Sequence, residues 1–233
     1  MQVGLVFLSL LMGTIVWWLF RQTVNVEPWQ SQAVVEPARG GMATRPAAKT
    51  ALWVFLAVAT SLFALFVSAY AMRLSFLDWR PLPQPTLLTL NTAILVAASV
   101  AMQWTVFAAR RGDAGAVRKG LMASGLLTFG FLAGQLVIWK QLHDAGYFLS
   151  DSVATAFFYL LTGVHGVHVL GGLVAWARAS ARARRGDEPA RITLGIELCA
   201  IYWHFLLVVW AALYMLLVSN HLGLPICSSA LSL

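Results

Sequence analysis

Residues 151–178, DSVATAFFYLLTGVHGVHVLGGLVAWAR, decide how the rest of the chain is read. The stretch is apolar enough to cross a bilayer, whose hydrocarbon core takes about 20 residues of helix. Yet His165 and His168 stand near its middle. Three residues apart on a helix, the two rings leave from one face. Thr155, Thr162 and Gly172 fall close to that face. Hydrocarbon cannot solvate ionisable groups, so a polar stripe at this depth must face protein or enclosed water. The stretch is therefore predicted to be a transmembrane helix packed inside a bundle.

Composition carries this outward to the whole chain. Sixty per cent apolar residues, 11% charged and a mean hydropathy of +0.76 belong to polytopic membrane proteins. With 233 residues, six spans of about 20 residues and their loops use most of the length. That leaves one bundle and no separate soluble domain. A net charge of +7 and a pI near 10.0 would suggest nucleic acid in a soluble protein. Here the basic residues lie between apolar runs, as on a cytoplasmic membrane face, so no nucleic-acid partner is expected. Cys199 and Cys227 form no framework, and the absence of C-x-x-C-H excludes covalent c-type haem.

The predicted fold is an all-α, polytopic bundle of six spans. Residues 1–20 contain the first apolar run, VGLVFLSLLMGTIVWWLF at 3–20. It has no preceding charge and no small-residue cleavage site, so it reads as a retained helix and not a signal peptide. Residues 21–50, with Pro28, Pro37, Pro46, Gly40 and Gly41, form a cytoplasmic linker. A five-helix unit occupies 51–219, with spans at 51–72, 87–109, 120–139, 151–178 and 192–219, and 220–233 is an external tail. Arg21, Arg39, Arg45, Lys49, Arg110, Arg111, Arg118, Lys119, Arg178, Arg182, Arg184, Arg185 and Arg191 follow the odd spans; the opposite side has only Arg73, Arg80 and Lys140. The positive-inside rule then puts both termini outside.

Polar stripes recur on the internal spans. Thr92, Ser99 and Gln103 line the third, and Ser124, Thr128 and Gln135 the fourth, which reads as interhelical hydrogen bonding. On the sixth, Glu197 and His204 are seven apart and nearly superimposed in projection. Antiparallel neighbours joined by a short loop would let His165, His168 and His204 converge, with Glu197 about two turns nearer the cytoplasm. Three uses are open. Imidazoles suit a metal or haem, but no further ligand set converges. Histidine with a nearby glutamate can handle protons, but the second span offers only Thr60 and Ser61 to continue a path. The simplest use is structural: the histidines and Glu197 bond across spans five and six, and Gly163, Gly166, Gly171 and Gly172 permit close approach. No catalytic or metal-ligating residue is assigned.

The run FFYLLTGVHGVHVLGGLVAW resembles the helix of cytochrome oxidase subunit III that carries a Gly-x-His-Gly-x-His signature, and ELCAIYWHFLLVVWAALY resembles that family's last helix. LWVFLAVATSLFALFVSAYAMR is similar to the helix preceding a long external loop, so the likeness spans about 50–219. His165, His168, Glu197, Tyr202, Trp203 and His204 match the family motifs. The resemblance implies a helical bundle with a lipid-filled, V-shaped cleft and no cofactor of its own. It implies partners too: the catalytic subunit I, holding haem and copper, together with subunit II, membrane lipids, and cytochrome c or quinol as donor to the complex. The implied function is support of oxygen reduction and proton translocation, through packing, lipid binding and a surface for proton uptake, in a bacterial inner membrane. An accessory subunit of nitric oxide reductase and subunit III of a quinol oxidase are the alternatives. An independent transporter would need an inverted repeat or broken helices, which the sequence does not show.

The chain departs from the family in two places. Ala59-Thr60 stands where an acidic residue is common, and Leu206-Leu207 where Val-Asp is common. Both remove acids from the membrane. Phospholipid is expected as a bound partner, with headgroup phosphates at Arg178 and Arg191.

Overall fold

Hydrocarbon offers no partner to a backbone N–H or C=O, so apolar runs of this length close their hydrogen bonds internally as helices. The computed structural model describes residues 44–73, 86–148 and 152–221. They form five helices: α1 (Thr44–Arg73), α2 (Thr86–Arg110), α3 (Ala114–Asp144), α4 (Val153–Arg185) and α5 (Pro189–His221). All five are long and apolar enough to cross a membrane. They correspond to the second to sixth expected spans; the expected first span and the linker up to residue 43 lie outside the described residues.

Each helix outruns the span assigned from hydropathy. At 33 residues, α4 is about 50 Å long against a hydrocarbon core of about 30 Å. Its last two turns, rich in arginine, stand clear of the apolar zone. Likewise α1 starts at Thr44, so residues 44–50 of the expected linker are helical, and Pro46 sits in the first turn, where its missing N–H interrupts nothing. Hydropathy locates the greasy centre, whereas caps locate the ends. Asp113 accepts the Ala116 amide at the start of α3, and Ser152 accepts that of Thr155 at the start of α4. Gly186, at φ +73°, takes the left-handed conformation that closes α4.

Helices α2, α3, α4 and α5 pack in a ring, α2 on α3 and α5, α4 on α3 and α5, while α1 lies against α4 and α5. The core runs down the ring through Met102, Phe131, Ile138, Val169, Ile196, Trp203, Leu206 and Trp210, all essentially inaccessible. A smaller cluster of Phe63, Tyr70, Leu161 and Leu213 joins α1 to the ring.

Indole and hydroxyl groups tie the ring together. Trp203 Nε1 donates to Thr128 Oγ1 at 3.1 Å, Trp210 Nε1 to Thr92 Oγ1 at 3.0 Å and Trp139 Nε1 to Thr162 Oγ1 at 3.1 Å. Asn91 Nδ2 donates to Gln135 Oε1 at 3.3 Å between α2 and α3. The polar stripes of the third and fourth spans thus largely bond to neighbouring helices, Thr92, Thr128 and Gln135 as acceptors. Ser124 instead bonds Leu121 O within its own helix.

Candidate functional site

The motif residues at 202–204 of α5 face different ways. Trp203 turns into the ring, Tyr202 toward the contact with α4 and α1, and His204 out of the ring. Tyr202 donates its hydroxyl to His168 O at 2.9 Å, across the α4–α5 contact. That contact is close because Gly172 has no side chain: a Cβ there would lie 2.8 Å from Tyr202 Cε1 and 3.3 Å from Trp203 Cζ3. Of the four glycines read as permitting approach, Gly172 alone needs to be one. A Cβ at Gly163 would make ordinary contact with Trp139, and at Gly166 or Gly171 it would meet open space.

The three imidazoles do not converge. His165 is wholly buried, walled by Trp210 with ring centroids 5.0 Å apart, by Phe131 at 5.9 Å and by Phe63 at 6.4 Å. Neither of its ring nitrogens has a hydrogen-bond partner among the described residues. His168, one turn on, donates Nδ1–H to Val164 O at 2.8 Å and lies against Phe63, centroids 5.2 Å apart. His204 bonds to α2 instead: Ser99 Oγ is 2.7 Å from Nδ1 and Gln103 Oε1 is 3.0 Å from Nε2. A carbonyl oxygen only accepts, so Nε2 carries the proton and Nδ1 accepts the serine hydroxyl. With both nitrogens of His204 taken on a different helix pair, a three-histidine ligand set on α4 and α5 does not form. Among the described residues no group of three His, Cys, Asp or Glu is placed to hold an ion.

Glu197 also differs from the expectation of a bond to histidine. Its Oε1 accepts Arg110 Nε at 3.1 Å and pairs with Arg110 Nη2 at 3.0 Å. Lys49 Nζ approaches Oε2 at 3.8 Å. The carboxylate therefore joins the start of α1, the end of α2 and the first third of α5, and it marks the basic end of the bundle. The projection that put Glu197 and His204 on one face is correct, but that face meets α2, not α4. Further along the same seam, Thr89 Oγ1 lies 3.0 Å from Tyr214 Oη. From the basic end to the other, α2 and α5 share a ladder of polar contacts open to the bundle surface.

Arg178 and Arg191 do not share a site. Arg178 lines a groove of about 350 Å3 between α1, α4 and α5, with Leu52, Phe55, Gly171, Arg182 and Tyr202. Arg191 is outside it, paired with Glu188 at 3.2 Å. Arg182, one turn beyond Arg178 on α4, takes the position expected of Arg191. Where the family commonly has an acid on the helix corresponding to α1, Ala59 is buried and Thr60 returns its hydroxyl to Leu56 O at 2.7 Å.

Sequence reasoning missed the basic partners of Glu197 and the indole donors of Trp139, Trp203 and Trp210. A signal for the latter exists: Trp139, Trp203 and Trp210 stand in apolar runs whose neighbouring runs present threonines at matching depth. An indole N–H in hydrocarbon must find an acceptor.

Comparison with known proteins follows the same outline. A family model described as cytochrome c oxidase subunit III matches residues 3–220. The chain is 36% identical over 159 residues to a probable cytochrome c oxidase subunit 3 of Nocardia farcinica, covering 66% of this chain and 76% of the relative. It is 34% identical over 158 residues to cytochrome c oxidase subunit 3 of Corynebacterium diphtheriae, covering 66% and 76%. Against the subunit 3 of Thermostichus vulcanus it is 32% identical over 171 residues, covering 71% and 84%.

Proposed function

The chain belongs to the cytochrome c oxidase subunit III family, and from that premise we propose that it serves a haem–copper oxidase as its non-catalytic third subunit, packing against the subunit that holds haem and copper. It is an integral membrane protein and part of an oxidase complex. The relatives' naming as cytochrome c oxidase favours cytochrome c over quinol as donor, and oxygen over nitric oxide as the substrate of the complex.

The observation that carries this reading is the seam between α2 and α5. His204 is exposed on the bundle surface at span depth, with Gln103 half-exposed beside it. The other outward faces are greasy: Trp53, Val58 and Leu65 on α1, Met122, Leu126 and Leu136 on α3. Thr60 and Ser61 on α1 satisfy themselves on their own helix. Lipid tails offer an imidazole and an amide nothing, so such a face is stable when another transmembrane polypeptide covers it. We assign this seam to the catalytic subunit.

Three further roles complete the reading. The groove at Arg178 and Arg182 takes phospholipid, its apolar wall at Leu52 and Phe55 receiving a tail and its guanidinium groups a headgroup. Glu197, held by Arg110 and Lys49, stabilises the basic end, and support of proton uptake lies in the surface offered to the partner. The excess of Lys and Arg at that end supports a cytoplasmic basic end and both termini outside, in a bacterial inner membrane.

A photo-crosslinking residue at Val100 or Val208, both more than 60% exposed and beside the seam, should capture the catalytic subunit in native membranes. The same residue at Leu126, 73% exposed on α3, should not. Capture at Leu126 and not at the seam, or capture at the seam of the chain's own residues 1–43, overturns the assignment.

A further inference from the structure

A second groove lies on the opposite side of α4, and nothing in the oxidase reading uses it. It measures about 360 Å3 and is lined by Arg118, Lys119, Met122, Trp176, Ser180 and Arg184, with Leu121 behind them. Three cations from the first turns of α3 and the last turn of α4 converge on it, and no Asp or Glu is in its lining. The ion pairs among the described residues take up none of these three cations. Ser180 is 8% exposed, and its hydroxyl has no hydrogen-bond partner among the described residues. A buried hydroxyl without a partner is unfavourable unless something enters to satisfy it.

The arginines are held in place. Arg118 donates Nε–H to Ala114 O at 3.3 Å and Arg184 donates Nε–H to Ser180 O at 3.4 Å. Each guanidinium is thereby fixed over its own helix with its terminal amino groups still available. The floor is rigid too. Trp176 donates to Leu121 O at 2.9 Å, and its ring fills the notch at Gly125, where a Cβ would collide with it. Below the floor the surface becomes apolar. Met122, Leu126 and Phe129 follow at i, i+4 and i+7 on α3, exposed by 71%, 73% and 53%, so they share one face. Phe129 packs edge-on against Trp176, centroids 6.4 Å apart, which places this face directly beneath the cations.

A ring of cations around a hydroxyl, standing on a greasy track that runs into the membrane, matches the two halves of one molecule. We propose that this groove binds an anionic phospholipid. Arg118, Lys119, Arg184 and the Ser180 hydroxyl hold the phosphate, and an acyl chain lies along Met122, Leu126 and Phe129. The site is separate from the Arg178 groove: Arg178 and Arg182 leave α4 about 200° around the helix from Trp176 and Ser180. It does not depend on which oxidase the chain serves.

Native mass spectrometry of the detergent-purified oxidase complex tests it, titrating with dioleoylphosphatidylglycerol, with dioleoylphosphatidylcholine, or with inorganic phosphate added as competitor. The unmodified complex should hold one phosphatidylglycerol that a complex carrying R118Q, K119Q and R184Q does not. All three positions are exposed, so the fold should tolerate the change. At about fivefold per cation near a membrane surface, the triple variant should bind on the order of a hundredfold more weakly. Ser180→Ala should weaken binding by several-fold, and R178Q with R182Q should leave this site's occupancy unchanged. Equal retention by variant and parent overturns the proposal, as does equal binding of phosphatidylcholine. Displacement by millimolar inorganic phosphate would assign the cations to a free anion and overturn the lipid.

Discussion

Trp203→Phe and Thr128→Val, made singly and together, measure what one indole anchor contributes to the bundle. Trp203 is 1% exposed and Thr128 is wholly buried, so neither group has an alternative partner in water. The threonine hydroxyl donates to Ser124 O at 2.8 Å and accepts the indole N–H at 3.1 Å. Trp203→Phe removes that donor, worth about 0.6 kcal/mol and at most about 1.7 in a membrane bundle. It also leaves a void of roughly 40 Å3, which at about 24 cal/mol per Å3 adds about 1 kcal/mol. The expected cost is about 1.5–2 kcal/mol. Thr128→Val keeps the shape but strands a buried N–H, at about 1–3 kcal/mol.

In the double variant neither group is left unpaired, so its cost should fall short of the sum of the singles by about 1 kcal/mol. Unfolding of the full chain by SDS in mixed micelles, followed by near-ultraviolet circular dichroism, gives all three values. Costs that add within about 0.3 kcal/mol would mean the two groups are not coupled. The account of α5 as a helix pinned into the ring by its indoles would then be wrong.

Three other substitutions probe neighbouring features by the same assay. His165→Phe replaces an imidazole whose nitrogens find no partner among the described residues by a ring suited to Phe63, Phe131 and Trp210, and should stabilise the chain by about 1 kcal/mol; a loss of more than about 1 kcal/mol would show that the imidazole has a partner in the folded protein. Gly172→Ala should destabilise by about 1–2 kcal/mol despite the better helix former, since the added Cβ would lie 2.8 Å from a Tyr202 ring held by its bond to His168 O. Gly171→Ala meets open space and should be neutral or slightly stabilising; similar losses at both positions would remove Tyr202 as the cause.

Much of this was legible in the sequence because one property, hydropathy, sets where a helix must lie in a membrane. The centres of α1 to α5 follow from it, and their ends do not. Arg182, Arg184 and Arg185 lengthen α4 beyond the apolar zone without leaving a trace in an apolar count. Helical projection also read faces correctly, pairing Glu197 with His204 and setting Thr92 apart with Ser99 and Gln103. What projection lacks is the identity of the neighbour. The expectation of a histidine–glutamate lock between the last two helices assumed that the helix nearest in sequence receives the polar face. In the structure α5 touches both α2 and α4, and a rotation of about 100° per residue sends Tyr202 to α4, Trp203 across the ring to Thr128 of α3 and His204 to α2. Adjacent positions of a single motif thus serve different contacts, and no property of the linear sequence separates them.

That division explains how α5 joins an internal task to an external one. Its inward stripe, Ile196, Trp203, Leu206 and Trp210, is sealed to 1% exposure or less, and the indole bonds to Thr128 and Thr92 fix its rotation about its own axis. With the rotation fixed, the outward stripe has no freedom. His204 must present itself beside Gln103, and Glu197 must meet Arg110, whatever stands outside the bundle. The docking role proposed for this polar face needs this, because a helix free to turn would bury its imidazole inward and leave a greasy surface behind. The inward packing is therefore what keeps the polar face available. Loosening the indole anchors should weaken attachment to the catalytic subunit, with no residue of the seam itself changed.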